Sequence, residues 1–362
     1  MEDNETSKVG MHNASDETIV DFSLSYRAVK ILSVYYIPVL VIGGFIGNGI
    51  SIAMFFFSRI RFRPSSCYLG YLAVSDICFL LILAFQWIHD YCFEIINYWI
   101  VCKVMAFLTS SFSCWSVWLT VSFTVERFVA VNYPLCHKCH FGTNNRAKIV
   151  VSIIGIVSFL LNSYIFEFVG LYEFDSHLMC EVYLTYYTEM FYINIVDTIV
   201  TLILPVVIIS YANFMIGRSL FAFYTNYHRE FGNSPTESSS RDQDSCRKRK
   251  KGTPQSIQMN TARMLFLVST TFLILNLPSY VMRLYTLYLE LTDSKPTVNV
   301  IIIQRYTMLP YYSNFAVNFI LYNLSSRVFR RCVFNYLRRY YKVLFDCGSD
   351  HSNLDNPNNI VR

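Results

Sequence analysis

Leu72-Ala73-Val74-Ser75-Asp76 sets a carboxylate in the middle of an apolar run that extends from Cys67 to Tyr91. As a helix rising ~1.5 Å per residue, such a run spans the roughly 30 Å hydrocarbon core of a bilayer. A carboxylate at that depth costs roughly 2.5–3.5 kcal/mol on insertion scales, so Asp76 must face a protein interior and find partners there. Its helix therefore belongs to a bundle. On either side, comparable apolar runs cover Ile31–Phe57, Ile100–Val131, Ile149–Val169, Phe191–Ile216, Met264–Leu289 and Val300–Tyr322. Together they predict an all-α membrane protein, a bundle of seven transmembrane helices. Pro205 and Pro278 fall inside helices, as membrane bundles tolerate. A composition 54% hydrophobic and 15% charged, with mean hydropathy +0.35, excludes an ordinary soluble domain.

Charge gives the orientation. Basic residues collect in alternate connections: Arg59, Arg61 and Arg63, then Lys138 and Arg146, then Arg247-Lys248-Arg249-Lys250-Lys251. Arg327, Arg330, Arg331, Arg338 and Arg339 follow the last helix, whereas Gly170 to Tyr187 holds no Lys or Arg. The N-terminus is thus expected outside and the C-terminus in the cytosol of a plasma-membrane protein. Met1 to Asp21 is polar and acidic, without the pattern of a cleavable signal, so the first helix is expected to direct insertion. Asn4-Glu5-Thr6 and Asn13-Ala14-Ser15 become glycosylation acceptors, while Asn323-Leu324-Ser325 stays bare on the cytosolic side.

The expected division is an extracellular tail over 1–30 and a membrane domain over 31–324, with a flexible cytoplasmic loop at 220–258. An amphipathic eighth helix over 325–342 sets Val328, Phe329, Val333, Tyr336 and Leu337 against arginines, suiting an anionic membrane surface. The stretch 343–362 reads as a disordered cytoplasmic tail. No internal repeat is visible, and an odd number of spans disfavours an inverted-repeat transporter.

Asn48, Ser116, Asn314 and Asn318 lie at depths comparable to that of Asp76. They either coordinate a small cation with it, an allosteric sodium ion, or form a polar knot that ties helices together. Both readings stand at this level.

The order and spacing of these residues resemble the motifs of the rhodopsin-like G-protein-coupled receptors over nearly the whole chain. Gly47-Asn48 resembles the first-helix signature and Leu72-Ala73-Val74-Ser75-Asp76 the second. Trp99 and Cys102 resemble the start of the third helix, and Glu126-Arg127-Phe128 with Pro134-Leu135 its cytoplasmic end. Pro205, Pro278, Asn318-Phe319-Ile320-Leu321-Tyr322 and Phe329 match the later helices. Departures are Gly155 and Asn276 where the family has tryptophan, Phe319 where it has proline, and Asn213 where it has tyrosine. The last two are similar to patterns of invertebrate neuropeptide receptors. The resemblance implies a disulfide between Cys102 and Cys180. It also implies a resting pair of Glu126 with Arg127, and a heterotrimeric G protein as the cytoplasmic partner, coupled through Glu126, Arg127, Phe128, Pro134, Leu135, Asn318 and Tyr322.

Absences narrow the ligand. Val300 to Tyr322 contains no lysine for a retinal Schiff base, and Thr109 stands where amine receptors of this family carry aspartate. Gln86, Trp87, Thr109, Asp197, Tyr280, Arg283 and Gln304 in the outer halves of the helices suit a wide polar-aromatic cavity for a peptide. Acidic residues outnumber basic ones on the outer face, so a cationic peptide is expected, with Asp197 meeting its base. Mutual neutralisation of Asp197 and Arg283 is the competing reading. A receptor for a non-peptide ligand is an alternative, as is a transporter or ligand-gated channel working through Asp76.

No paired carboxylates, activated nucleophile or phosphate-cradling loop supports an enzyme, and nothing points to nucleic acid or to a cofactor. Cys136-His137-Lys138-Cys139-His140 fits a haem-attachment pattern but sits in a short cytosolic loop, so neither haem nor metal is expected there. Cys347, near the membrane after the amphipathic helix, is a palmitoylation candidate alongside Cys332.

Overall fold

The computed structural model describes residues 3–93, 98–133, 143–174, 177–231, 254–292, 294 and 297–338, with the backbone alone before Ser25, over 254–265 and at a few further positions within helices and strands. The helices are α1 (Asp3–Phe57), α2 (Pro64–Tyr91), α3 (Trp99–Asn132) and α4 (Asn144–Leu161). Tyr187–Thr198, a π-helical turn Ile199–Ile203 and Leu204–Phe231 then form one continuous helix, α5. Next come α6 (Pro254–Leu291), α7 (Val298–Ser325) and α8 over 327–338. Among the described residues, six helices are long and apolar enough to cross a bilayer. The seventh, α7, is 28 residues long, sufficient at ~1.5 Å per residue, and packs against α1, α2 and α6. Its lower apolarity follows from Gln304 and Arg305 near its outer end, both exposed, and from Asn314 and Asn318, which are buried in the bundle.

Several boundaries differ from expectation. The first helix starts at Asp3, so the division at residue 30 does not coincide with a helix end, although the apolar span itself begins at Ser25. The loop placed at 220–258 is shorter, because α5 runs on to Phe231 and α6 starts at Pro254. A helix already nucleated in the membrane can propagate into water one hydrogen bond per residue, and hydropathy does not register that extension. The α8 turn is shorter than 325–342 in the described residues, and Ser326 interrupts it from α7 with an extended backbone.

Two apolar layers fill the bundle. The inner one joins Met54, Phe55, Leu72, Leu119, Phe123 and Tyr322 to Phe329 of α8; the Phe55 ring stands 5.4 Å from each of the last two. The outer one centres on Phe79 stacked on Phe315 at 3.7 Å, flanked by Ile37, Val41, Leu80 and Leu83. Large aliphatic side chains on the far face of α4, among them Ile149, Ile153, Ile156 and Leu160, remain exposed. That is the arrangement expected where lipid is the solvent. Close helix approach is specified by Gly47, where a Cβ would stand 2.9 Å from the Phe319 side chain.

The connection before α5 is an addition to the all-α reading. A single turn, Ile165–Phe168, leads into an antiparallel hairpin of β1 (Val169–Phe174) and β2 (His177–Val182), in register Val169 to Val182 and Leu171 to Cys180.

Candidate functional site

A cavity of about 500 Å³ opens between the outer halves of α2, α3, α5, α6 and α7. Gln86, Thr109, Asp197, Tyr280, Arg283 and Gln304 all line it. Gln86 Nε2 donates to Thr109 Oγ1 at 3.2 Å, and Tyr280 donates its hydroxyl to the Thr201 carbonyl of the π turn at 3.3 Å. Arg283 pairs with Asp197 across the cavity, both side chains partly exposed. Trp87 is a correction: it does not line the cavity but packs into the outer core against Tyr91, ring centroids 5.8 Å apart. It stands about 100° around α2 from Gln86, which turns its side chain away from the cavity.

Sequence reasoning missed Ser113 and Tyr311, whose hydroxyls meet at 2.6 Å in the cavity floor, and Phe79 and Tyr312 beside them. A helical-spacing rule finds two of them: Ser113 lies four residues beyond Thr109, and Tyr311 seven beyond Gln304, on the same faces.

The hairpin is fastened to α3 by the disulfide Cys102–Cys180, with Cα atoms 5.6 Å apart. A second fastening was not foreseen. Lys103 Nζ donates to the Phe166 carbonyl at 2.6 Å and lies 4.6 Å from the centroid of the Trp99 ring.

Deeper in the bundle, Asp76 is fully buried and accepts hydrogen bonds from Ser116 Oγ on one oxygen and Asn318 Nδ2 on the other, each at 2.8 Å. Asn48 does not reach the carboxylate by a hydrogen bond; its Nδ2 donates to the Phe315 carbonyl at 2.8 Å. Asn314 joins through its backbone carbonyl, which accepts from Asn318 at 3.3 Å. α1, α2, α3 and α7 thus converge on one buried polar cluster. No group of three or more metal-binding side chains of the His, Cys, Asp and Glu type is present among the described residues.

At the cytoplasmic end of α3, Arg127 Nε lies 2.9 Å from Glu126 Oε2, with Glu126 buried and the guanidinium 5.9 Å from the Phe123 ring centroid. Phe128 packs against Tyr211 of α5, centroids 6.0 Å apart, and Ser219 of α5 donates to Asn132. Tyr322 is wholly buried among Phe55 and Phe329. Pro134, Leu135 and Cys347 lie outside the described residues, as do the side chains of Asn4 and Asn13.

The sequence matches the family described as 7 transmembrane receptor (rhodopsin family) over residues 47–322, from the last turns of α1 to near the end of α7. The chain belongs to the rhodopsin family of seven-transmembrane receptors. The receptor is 25% identical over 293 residues to the human growth hormone secretagogue receptor type 1, covering 76% of this chain and 74% of that protein. It is equally 25% identical over 306 residues to the neuromedin U receptor homolog nmur-2 of Caenorhabditis elegans, covering 79% and 74%.

The receptor's departures from the family pattern have local partners. Asn213 Oδ1 accepts from Ser269 at 2.7 Å and so links α5 to α6. Asn276 donates to the Phe272 carbonyl of its own helix at 2.7 Å. At Gly155 a Cβ would stand 3.3 Å from the Trp115 indole, so a tryptophan on α3 occupies the space beside this α4 position.

Proposed function

We propose that the receptor sits in the plasma membrane with its N-terminus outside, binds an extracellular peptide in the cavity between α2, α3, α5, α6 and α7, and activates a heterotrimeric G protein at its cytoplasmic end. The observation that carries the reading is the cavity itself. At about 500 Å³, it sets a charged pair and several amide and hydroxyl groups among tyrosines, a lining that suits peptide side chains and backbone together. The two relatives are named as a growth hormone secretagogue receptor and as a homolog of the neuromedin U receptor, which supports a messenger ligand. The acidic bias of the outer face favours a cationic peptide through steering. Specific recognition at Asp197 has to compete with the partner it already holds in Arg283.

In this mechanism the peptide favours one packing of α5, α6 and α7 over another, since only differential affinity shifts an equilibrium. The inner end responds through Arg127, held by Glu126 at rest and freed for the G protein, with Phe128, Tyr322 and Asn318 in the moving contact. A sodium ion beside Asp76 is a fitting allosteric modulator: Asn48 Oδ1 is buried without a hydrogen-bond partner among the described residues, and a cation would coordinate such an oxygen. The inner leaflet holds α8 through its arginines, Asn4 and Asn13 carry glycans, and Cys347 is the site of acylation.

The test is a panel of neuropeptides applied to cells expressing the chain, read as guanine-nucleotide exchange on G proteins. Exchange evoked by one peptide family is the expected result. Ligand-evoked current or flux that survives G-protein inhibition would favour the transporter or channel reading instead.

A further inference from the structure

Beside the central cavity lies a second hollow of about 310 Å³ at the seam of α4 and α5. Leu161, Tyr192, Ile193, Val196 and Val200 give it an almost wholly apolar lining. The two hollows have Cys114, Asn162, Tyr164 and Asp197 in common, so they adjoin at these four side chains. The cleft exists because α4 packs chiefly on α2 and α3 and leaves its flank toward α5 open. On the far side Tyr192 and Val196 are 64% and 58% exposed, within the apolar span Thr188–Ser219.

An independent feature of α5 points to the same place. The π turn Ile199–Ile203 follows directly after Asp197 and Thr198. A π turn adds a residue to the helix and re-phases everything above it, and such turns are frequent at functional sites. Here the outer half of α5 is rotated so that Asp197 borders both hollows while Ile193 and Val196 border the cleft alone.

We propose that the cleft is a second compartment of the ligand cavity and takes an apolar arm of the ligand, whose polar part stays beside Asp197 and Arg283. The inference rests on the cavity being the ligand site. Adjacency to the cavity, at side chains that include the ionic pair's own carboxylate, favours a ligand arm as occupant over a lipid chain. An amphipathic ligand places its two halves in the two linings that match them.

The test uses the full chain in lipid nanodiscs with Cys92→Ser and Cys114→Ala as background, which serves as the blank. Val196→Cys and Ile193→Cys report on the cleft; Val207→Cys reports on a lipid-facing part of α5 outside either hollow. The probe is a cationic, membrane-impermeant methanethiosulfonate with a trimethylammonium head. It is expected to modify the two cleft cysteines and not Val207→Cys, because the cleft adjoins the polar cavity and Val207 does not. N-dansyl-arginine is expected to slow that modification about tenfold at near-saturating concentration, while N-acetyl-arginine, which lacks the apolar arm, leaves the rate unchanged. Cleft cysteines as inert as Val207→Cys would make the hollow a lipid groove and overturn the proposal. Equal slowing by both arginine derivatives, or by neither, would remove the apolar compartment. Neither readout needs the natural ligand, so a peptide panel without a hit leaves this result standing on its own.

Discussion

Arg283 meets Asp197 across the mouth of the cavity, and because both side chains are partly exposed the pair stabilises the fold by no more than about 1 kcal/mol. Its main use is therefore expected in ligand recognition. Neutralising either residue should weaken peptide potency by roughly tenfold or more, the scale of a charge-assisted hydrogen bond. The exchange Asp197→Arg with Arg283→Asp should restore surface expression but not potency, since a ligand touching both would meet inverted partners. Full recovery of potency in dose-response assays would show that the two residues need only each other. At the opposite end, Arg127→Ala should abolish nucleotide exchange while peptide binding persists, because Arg127 stands a bundle's depth from the cavity beside Glu126. Wild-type exchange in that variant would remove Arg127 from the switch. Asp76, Asp197 and Arg283 were legible in the sequence because a charge in an apolar run demands a reason. Trp87 was misread and Ser113 and Tyr311 were overlooked for the opposite cause: aromatic and hydroxyl side chains suit core, lipid and cavity alike, and helix rotation decides among them.

Helices were legible as apolar runs, but their ends were not, since α1, α5 and α6 continue past the hydrocarbon where hydropathy has nothing to report. The hairpin over the cavity was hidden for a related reason. Its short strands carry little pattern of their own, and they are fastened by Cys102–Cys180 and by Lys103. Cys102→Ser and Cys180→Ser should each reduce peptide binding, and the double variant should be no worse than either, because one bridge is lost in all three. Additive losses in saturation binding would mean that the cysteines act separately. Helix packing makes a further prediction at Gly155. Restoring the family's tryptophan there should destabilise the receptor by about 1–3 kcal/mol through overpacking against Trp115, seen as a lower melting temperature in detergent. Trp115→Ala in the same chain should recover much of the loss, and failure to recover would place the conflict elsewhere.

Across the whole molecule, Asp76 is the point at which the bundle is both tied together and electrically unbalanced. Its two oxygens hold α3 through Ser116 and α7 through Asn318, and Asn48 holds α1 to α7 close by. The hydrogen bonds alone make a polar knot, each worth roughly 0.6–2 kcal/mol in a membrane. Ionised, Asp76 would be a negative charge at mid-depth with only neutral donors in hydrogen-bond contact, and Asn48 Oδ1 is buried and unpartnered among the described residues. A sodium ion meets both needs, and if it binds one packing of the helices better than another it must by linkage oppose or assist the peptide to the same degree. Asp76→Asn keeps the size and one acceptor oxygen while removing the charge. The variant should reach the surface and bind peptide, yet lose the dependence of agonist affinity on sodium that the parent shows against a choline-balanced medium. Equal sodium sensitivity in the parent and the variant, or none in the parent, would leave the interhelical hydrogen bonds as the whole role of the cluster.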